Sequence, residues 1–344
     1  MASSRKSGTN EHISTYGNAT RNYTSLATWE ADTDNDLVTL AKSEVLECYD
    51  DAASFNDCVT LDGTITNASY FRIIRPASGQ GHDGTPNNGV WFNSTTNADL
   101  FTISESFTSI QDIIGTLTIN GTTDRNVFVS TVDNGHFAGD IAWNGNNAGT
   151  GGIYGFNAKT AVNGTIFINC LAKGNETRGF NAIAITGATS YFYNCTAYGN
   201  NNGFVIGSAA GTGTTVWTNC LSTANTSHDF IDTNTGANVI TATYNASGDA
   251  TADDWGGAGN RINQTFTFAN TAIDDYHLAS NDAGARNYGT DLSSNPGYPF
   301  NDDIDKQTRP GETAWDIGAD EYVPAVGGFK PYWFHNSNII IGEP

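Results

Sequence analysis

An asparagine recurs at a nearly fixed interval through the middle of the chain: Asn120, Asn144, Asn169, Asn194, Asn219 and Asn245, in steps of 24, 25, 25, 25 and 26 residues. Three of them stand in repeated phrases, FINCLAKGN (167–175), FYNCTAYGN (192–200) and WTNCLSTAN (217–225). Four are followed six residues later by a second asparagine: Asn126, Asn175, Asn200 and Asn225. A unit of this length cannot bury an apolar face alone and stacks on its neighbours, so the repeat predicts a solenoid. Asn at one position of every coil would satisfy backbone groups at each turn and fix the register.

Short apolar runs bounded by Gly, Asn, Asp and Ser read as strands. They include VTLDG (59–63), YFRIIRP (70–76), VWFNS (90–94), NVFVSTV (126–132), TIFINC (165–170) and TTVWTNC (214–220). Three such strands and three turns fill one period, which makes the chain all-β, a single-stranded parallel β-helix of about 24–26 residues per coil. Aligning the repeats gives an Ile166, Tyr191, Val216 column, a Phe167, Phe192, Trp217 column and an Ala172, Ala197, Ser222 column. The aromatic column reads as stacked core. Which strand face points inward is left open, since a turn at each Asn can reset the alternation. Cys170, Cys195 and Cys220 follow the asparagines and read as buried free thiols, because parallel Cβ vectors do not suit a disulfide.

Four segments are expected. Residues 1–58 form an arm and a cap, 59–275 the β-helix, 276–322 a closing segment and 323–344 a tail. The cap contains a short helix over Tyr23–Glu30 with Leu26 and Trp29 on one face, suited to cover the open end of a solenoid. Residues 247–263, rich in Gly and Asp, are expected to loop outward. The tail carries Phe329, Tyr332, Trp333 and Phe334, candidates for docking on the solenoid or on a partner.

Charge excludes some partners. With 15 basic and 36 acidic residues the net charge is −21, which repels nucleic acid and anionic lipid. No run reaches the roughly 18 apolar residues of a membrane span, so no membrane insertion is expected. The opening MASSRKSGTNEH lacks the apolar stretch of a secretory signal, which points to synthesis in the cytosol.

NCTAYGNNNGF (194–204) resembles the repeat phrase of the right-handed parallel β-helix proteins, the pectate-lyase-like superfamily. DIDKQTRPGETAWDIGADEY (303–322) resembles the closing segment of bacterial and viral members. The opening, from YTSLATWEADTDNDLV to GQGHDG, is similar to amino-terminal caps from phage and phage-like genomes. The resemblance implies a virion structural protein (capsid decoration, head fibre or spike) on the virion surface. Its partners would be other virion proteins and copies of itself, such as a trimer. The alternatives are a polysaccharide-binding or polysaccharide-degrading β-helix of tailspike kind, contacting a glycan, or a surface adhesin.

An enzyme reading needs a constellation. The superfamily's hydrolases carry G-H-G and R-x-K strings, and neither is complete here; Gly81-His82-Asp83 and Gly135-His136-Phe137 match in part. Hydrolysis needs two carboxylates across a groove. Calcium-dependent elimination needs clustered Asp ligands and a base. The best candidates for either are Asp124, Asp133, His136 and Asp140, with Arg125 beside them, and ordinary loop polarity also accounts for them. The expectation is therefore no catalytic set, no zinc pattern and no cofactor, with Ca²⁺ the one cation to consider. Asp303, Asp305 and Arg309 match the closing string and suggest an Asp–Arg pairing across the final turn or a bound cation.

Overall fold

The computed structural model describes residues 3–18, 20–159, 163–183, 186–207 and 211–324. The chain winds as a parallel β-helix of three sheets. The first sheet has nine strands, from Glu11–Tyr16 to Val239–Thr243. The second has eight, from Trp91–Ser94 to Ala246–Ser247, and the third seven, from Val59–Leu61 to His228–Asp232. Stacking repeats one environment at every coil, so like residues fall on like. Phe167 pairs with Phe192 and Phe192 with Trp217, inside the core. Facing them, Phe128, Phe156, Phe180, Phe204 and Phe230 stack with centroids 4.6–5.0 Å apart. The two columns meet edge to face, an arrangement worth about 0.5–1.5 kcal/mol per pair beyond burial.

The recurrent asparagines divide among different positions. At the corner between the first and second sheets the backbone turns through a positive φ at Asp112, Gly139, Asn169, Asn194, Asn219 and Tyr244. Asn is the side-chain-bearing residue that tolerates this region best, which explains the middle three. Strand pairing places the next column at Ile113, Asp140, Cys170, Cys195, Cys220 and Asn245. Asn245 therefore belongs with the cysteines, not with Asn219. Asn144 sits at the next corner, where it shares its positive φ with Gly174, Gly199 and Ala224. Asn120 is exposed beyond the strand Ile114–Ile119. Three of the six thus form one column. The thiols are free and buried as expected, each directed at a carbonyl of the preceding coil: Phe137, Phe167 and Phe192.

The continuous hydrogen-bonded ladder is the second set, Asn175, Asn200 and Asn225. Asn200 Oδ1 accepts from Asn175 N (2.9 Å), and Asn225 Oδ1 accepts from Asn200 N (2.8 Å). The amides of Asn175 and Asn200 donate to the carbonyls of Ala142 and Ala172. Gly155, Gly179 and Gly203 make room: a Cβ there would lie 2.8–2.9 Å from the three asparagine amide nitrogens.

Both ends are covered. The helix Leu26–Thr33 begins at Ser25, whose side chain accepts from Thr28 N, and it buries Leu26 and Trp29 as expected. Residues 11–16, expected in an arm, instead form the first strand of the first sheet, pairing with Ser43–Cys48. At the other end Trp255 packs on Trp217, centroids 5.2 Å apart, and Thr251 Oγ1 accepts from Phe230 N. Residues 247–263 therefore fold over the last coil instead of looping outward, because the open core offers Trp255 an apolar surface.

The closing segment is a strap laid along the outside of the stack. Its Leu292, Phe300 and Trp315 cover Ile166, Ile168 and Tyr193 on the first sheet, while Tyr276, Ile304 and Ala319 cover Ile114, Ile141 and Leu171 on the second. The Ile166 column is thus the outward face. The three positive-φ asparagines dock the strap. Asn169 donates to Asp302 O (3.0 Å), Asn194 to Asp316 O and Gly318 O (both 3.2 Å), and Asn219 to Thr290 O (2.8 Å). The strap also reaches the beginning of the chain, where Arg5 binds Asp112 and the carbonyls of Asp303 and Ile304.

Asp316, buried in the strap, accepts from Asn287 N and Tyr322 N, yet burial and the neighbouring Glu321 push its carboxyl up to about 7. A carboxyl raised in the folded state stabilises it below the unfolded value near 4, and that contribution is lost as pH rises through about 7. Amide exchange at Asn287 and Tyr322, corrected for intrinsic rates, is expected to show protection falling between pH 5.5 and 8.5. Constant or rising protection would contradict this.

Candidate functional site

The strap leaves the outer face of the third sheet uncovered, and there the strands Arg125–Ser130, Ile153–Ala158 and Arg178–Ile183 line an open groove of 550 Å³. Phe156 and Ala158 point into the core, so Asn157 between them points out, and the same alternation places Asn181 outward on the next coil. Arg178 lies one coil above Tyr154, its guanidinium 4.9 Å from the ring centroid.

These side chains are held by one directional series of hydrogen bonds. Arg178 Nη1 donates to Asn181 Oδ1 (2.5 Å), Asn181 Nδ2 to Asn157 Oδ1 (2.7 Å), and Asn157 Nδ2 to Asn126 Oδ1 (2.7 Å). Asn126 Nδ2 closes the series on Asp99 Oδ1 (3.0 Å). A cation at one end and an anion at the other polarise the amides between them. Each of Asn157 and Asn181 still has one amide hydrogen and one lone pair unspent in this series.

Asp124 is at the rim. Its Oδ2 accepts from Tyr154 Oη (2.6 Å) and its Oδ1 from Gly152 N (2.7 Å). These bonds hold its carboxyl below the usual range, while burial and the same contact push the Tyr154 phenol up to about 12. Neither is a proton donor of catalytic strength near neutrality. Asp124 is also the one carboxylate lining the groove among the described residues, so the groove does not present the two facing carboxylates of glycoside hydrolysis. Asn157 and Asn181 are buried beneath this face, so the Tyr154 ring, the Arg178 guanidinium and the Asp124 carboxylate are the groups it offers to polyhydroxylated or amide-bearing ligands.

The remaining candidates are not brought to this groove. Asp133 lies in the turn after Arg125–Ser130. His136 is buried on the first sheet, Nδ1 2.8 Å from Ser109 Oγ, its basicity driven well down by burial. Asp140 is fully buried at the first corner, where its Oδ1 accepts from Ile113 N (2.9 Å) as Asn245 Oδ1 accepts from Cys220 N (2.9 Å). Burial pushes the Asp140 carboxyl well up, and its Oδ1 takes the place that the Asn245 oxygen holds at this turn. His82 is likewise buried, Nε2 2.7 Å from Gly139 O. In the closing string the expected Asp–Arg pairing is replaced by Arg309 with Glu321, 3.0 Å apart, while Asp303 accepts backbone amides of Gln307 and Glu321. The tail residues Phe329, Tyr332, Trp333 and Phe334 lie outside the described residues.

Tyr154, Asn157 and Asn181 were not singled out from sequence. The usable signal was the spacing of Asn157 and Asn181, which stack in register on adjacent coils. Compared with known proteins, the chain matches no family model, no curated protein and no solved structure.

Proposed function

We propose that this chain is a structural protein of a phage virion, a β-helical rod displayed on the particle surface as capsid decoration, head fibre or spike. The observation that supports this reading most is the closure of the coil stack. Helix Leu26–Thr33 and Trp255 cover its ends, and the strap covers the outer faces of two sheets. Such a body buries its backbone pairing and its unpaired edges, which favours persistence outside a cell. The phage-like opening and closing phrases favour a particle over a free enzyme. Other virion proteins and further copies of the chain, in a trimer, are the proposed partners, and Phe329, Tyr332, Trp333 and Phe334 the proposed anchor. Mass spectrometry of purified particles is expected to find its peptides co-sedimenting with the capsid. Their absence overturns the reading.

The groove on the third sheet favours a second reading, a glycan-binding β-helix of spike or adhesin kind. Tyr154→Ala removes the aromatic face beneath Arg178 and is expected to weaken glycan-array binding about tenfold, or about 1.4 kcal/mol. Undiminished binding by Tyr154→Ala removes the groove from consideration.

A further inference from the structure

We propose that the strap carries a divalent transition-metal site of the Zn²⁺ type, formed by His277, Asp305 and Asp320. One ligand atom from each lies within 4.8 Å of the others. The three come from separate parts of the strap: the strand Asp275–Leu278, the turn at residues 303–306 and the final stretch before Tyr322.

The imidazole is oriented for a metal. His277 Nδ1 is 2.7 Å from Asp275 Oδ1, which assigns the Nδ1 proton to that bond, the usual carboxylate–histidine support of a metal ligand, and leaves Nε2 as the position that a metal ion or a second proton would occupy. Nε2 is inaccessible to solvent and has no hydrogen-bond partner. The nearest opposite group is Asp305 Oδ2, 3.8 Å away. Asp305 Oδ2 already accepts from Gln307 Nε2, and Oδ1 of the same carboxylate is buried without a partner. Asp320 Oδ2 accepts from Leu278 N. A buried ring nitrogen without a partner, facing two carboxylates, is costly unless a cation, a metal ion or a proton, stands between them.

A cavity of 10 Å³, about the room of a single water-sized sphere, adjoins His277 and Asp320 but not Asp305, so an ion bound by all three would draw the Asp305 carboxylate in. Gly84 has φ +85°, and a Cβ there would collide with His277 Nε2. Glycine at this point keeps the approach to that nitrogen open. An imidazole with two carboxylates suits Zn²⁺ with a water completing the tetrahedron, whereas Ca²⁺ and Mg²⁺ take oxygen ligands. The bound ion would cross-link three parts of the strap. The rival occupant is a proton, which would make His277 an imidazolium within an ordinary ion-pair cluster.

The test uses the full chain, stripped with EDTA, dialysed and titrated with Zn²⁺ at pH 7.5 by calorimetry. One equivalent is expected. His277→Gln and Asp305→Asn should each lose it, and Asp275→Asn should weaken it about 10–100-fold. Should a variant not fold, the wild-type imidazole ¹⁵N spectrum decides: Zn²⁺ is expected to shift His277 Nε2. Absence of uptake by the wild type, retention of the equivalent by folded His277→Gln, or an unmoved Nε2 signal each overturns the proposal. A preference for Ca²⁺ over Zn²⁺ does so as well.

Discussion

Arg309→Leu is expected to free the strap while the coil stack stays folded. Arg309 and Glu321 are both fully buried, with Nη1 and Oε2 3.0 Å apart. The guanidinium also donates to the carbonyls of Asp302, Asp316, Gly318 and Ala319 at 2.8–3.2 Å, so it gathers the end of the strap around one cation. Leucine fills part of the volume but leaves Glu321 buried without its counter-charge, while each of the four carbonyls keeps one other donor, from Asn169, Asn194 or Ile304. Removing one partner of a buried pair costs about 3–5 kcal/mol. That cost falls on the strap, since the aromatic core contains no residue of it. Limited proteolysis and hydrogen exchange should show early cleavage within residues 286–322 and lost protection at Thr290 and Gly318, whose N–H groups donate to Asn219, with the third-sheet strands still protected. Arg309→Leu combined with Glu321→Gln should recover part of the loss by removing the stranded charge. An unchanged cleavage pattern would show that the apolar contacts of Leu292, Phe300 and Trp315 suffice to hold the strap.

Stacking made much of the fold legible in the sequence. Where one environment recurs at every coil, residue type recurs too, so the Phe167 column, the cysteine column and the helix over Leu26 and Trp29 could be read directly. The asparagine period was harder to interpret because coils differ in length. Leu171 pairs with Ile141, 30 residues earlier, and with Thr196, 25 residues later. Asn144 and Asn169 therefore stand 25 apart yet turn different corners. Counting intervals could not separate them, because the extra residues sit in loops that leave the strands unchanged. The strap has no repeat at all, so nothing in its own text announced that it returns along Asn169, Asn194 and Asn219. Its imprint was nevertheless present, in a column of Ile166, Tyr191 and Val216 too apolar for a bare outer face. The groove escaped notice for a related reason: Asn157 and Asn181 look like any loop-rich Asn until alternation with Phe156 and Phe180 sends them outward.

Asn200 separates the hydrogen-bonded ladder from the docking asparagines. Its Oδ1 accepts from Asn175 N (2.9 Å) and Nδ2 (3.2 Å), and its Nδ2 donates to Ala172 O (3.0 Å) and Asn225 Oδ1 (3.2 Å). Asn200→Ala strands the buried Asn175 N–H, while Ala172 O keeps its place in the strand ladder, so a loss of about 1–3 kcal/mol is expected. Asn169→Ala removes contacts to the strap and should cost less. Asn200→Asp is more informative. As a neutral acid it can accept from Asn175 N and donate to Ala172 O. Ionised, it sets a charge against the Ala172 carbonyl and Asn225 Oδ1. Its folded pKa would therefore lie above the unfolded value near 4, and its stability would be highest below that value and lost as pH rises through the folded one. Urea midpoints at pH 4 and pH 7.5, each referred to wild type at the same pH, should show Asn200→Asp close to wild type in acid and well below it at pH 7.5. A deficit equal at both pH values would mean that the amide at this corner is replaced by water, and that the ladder is less dry than its burial implies.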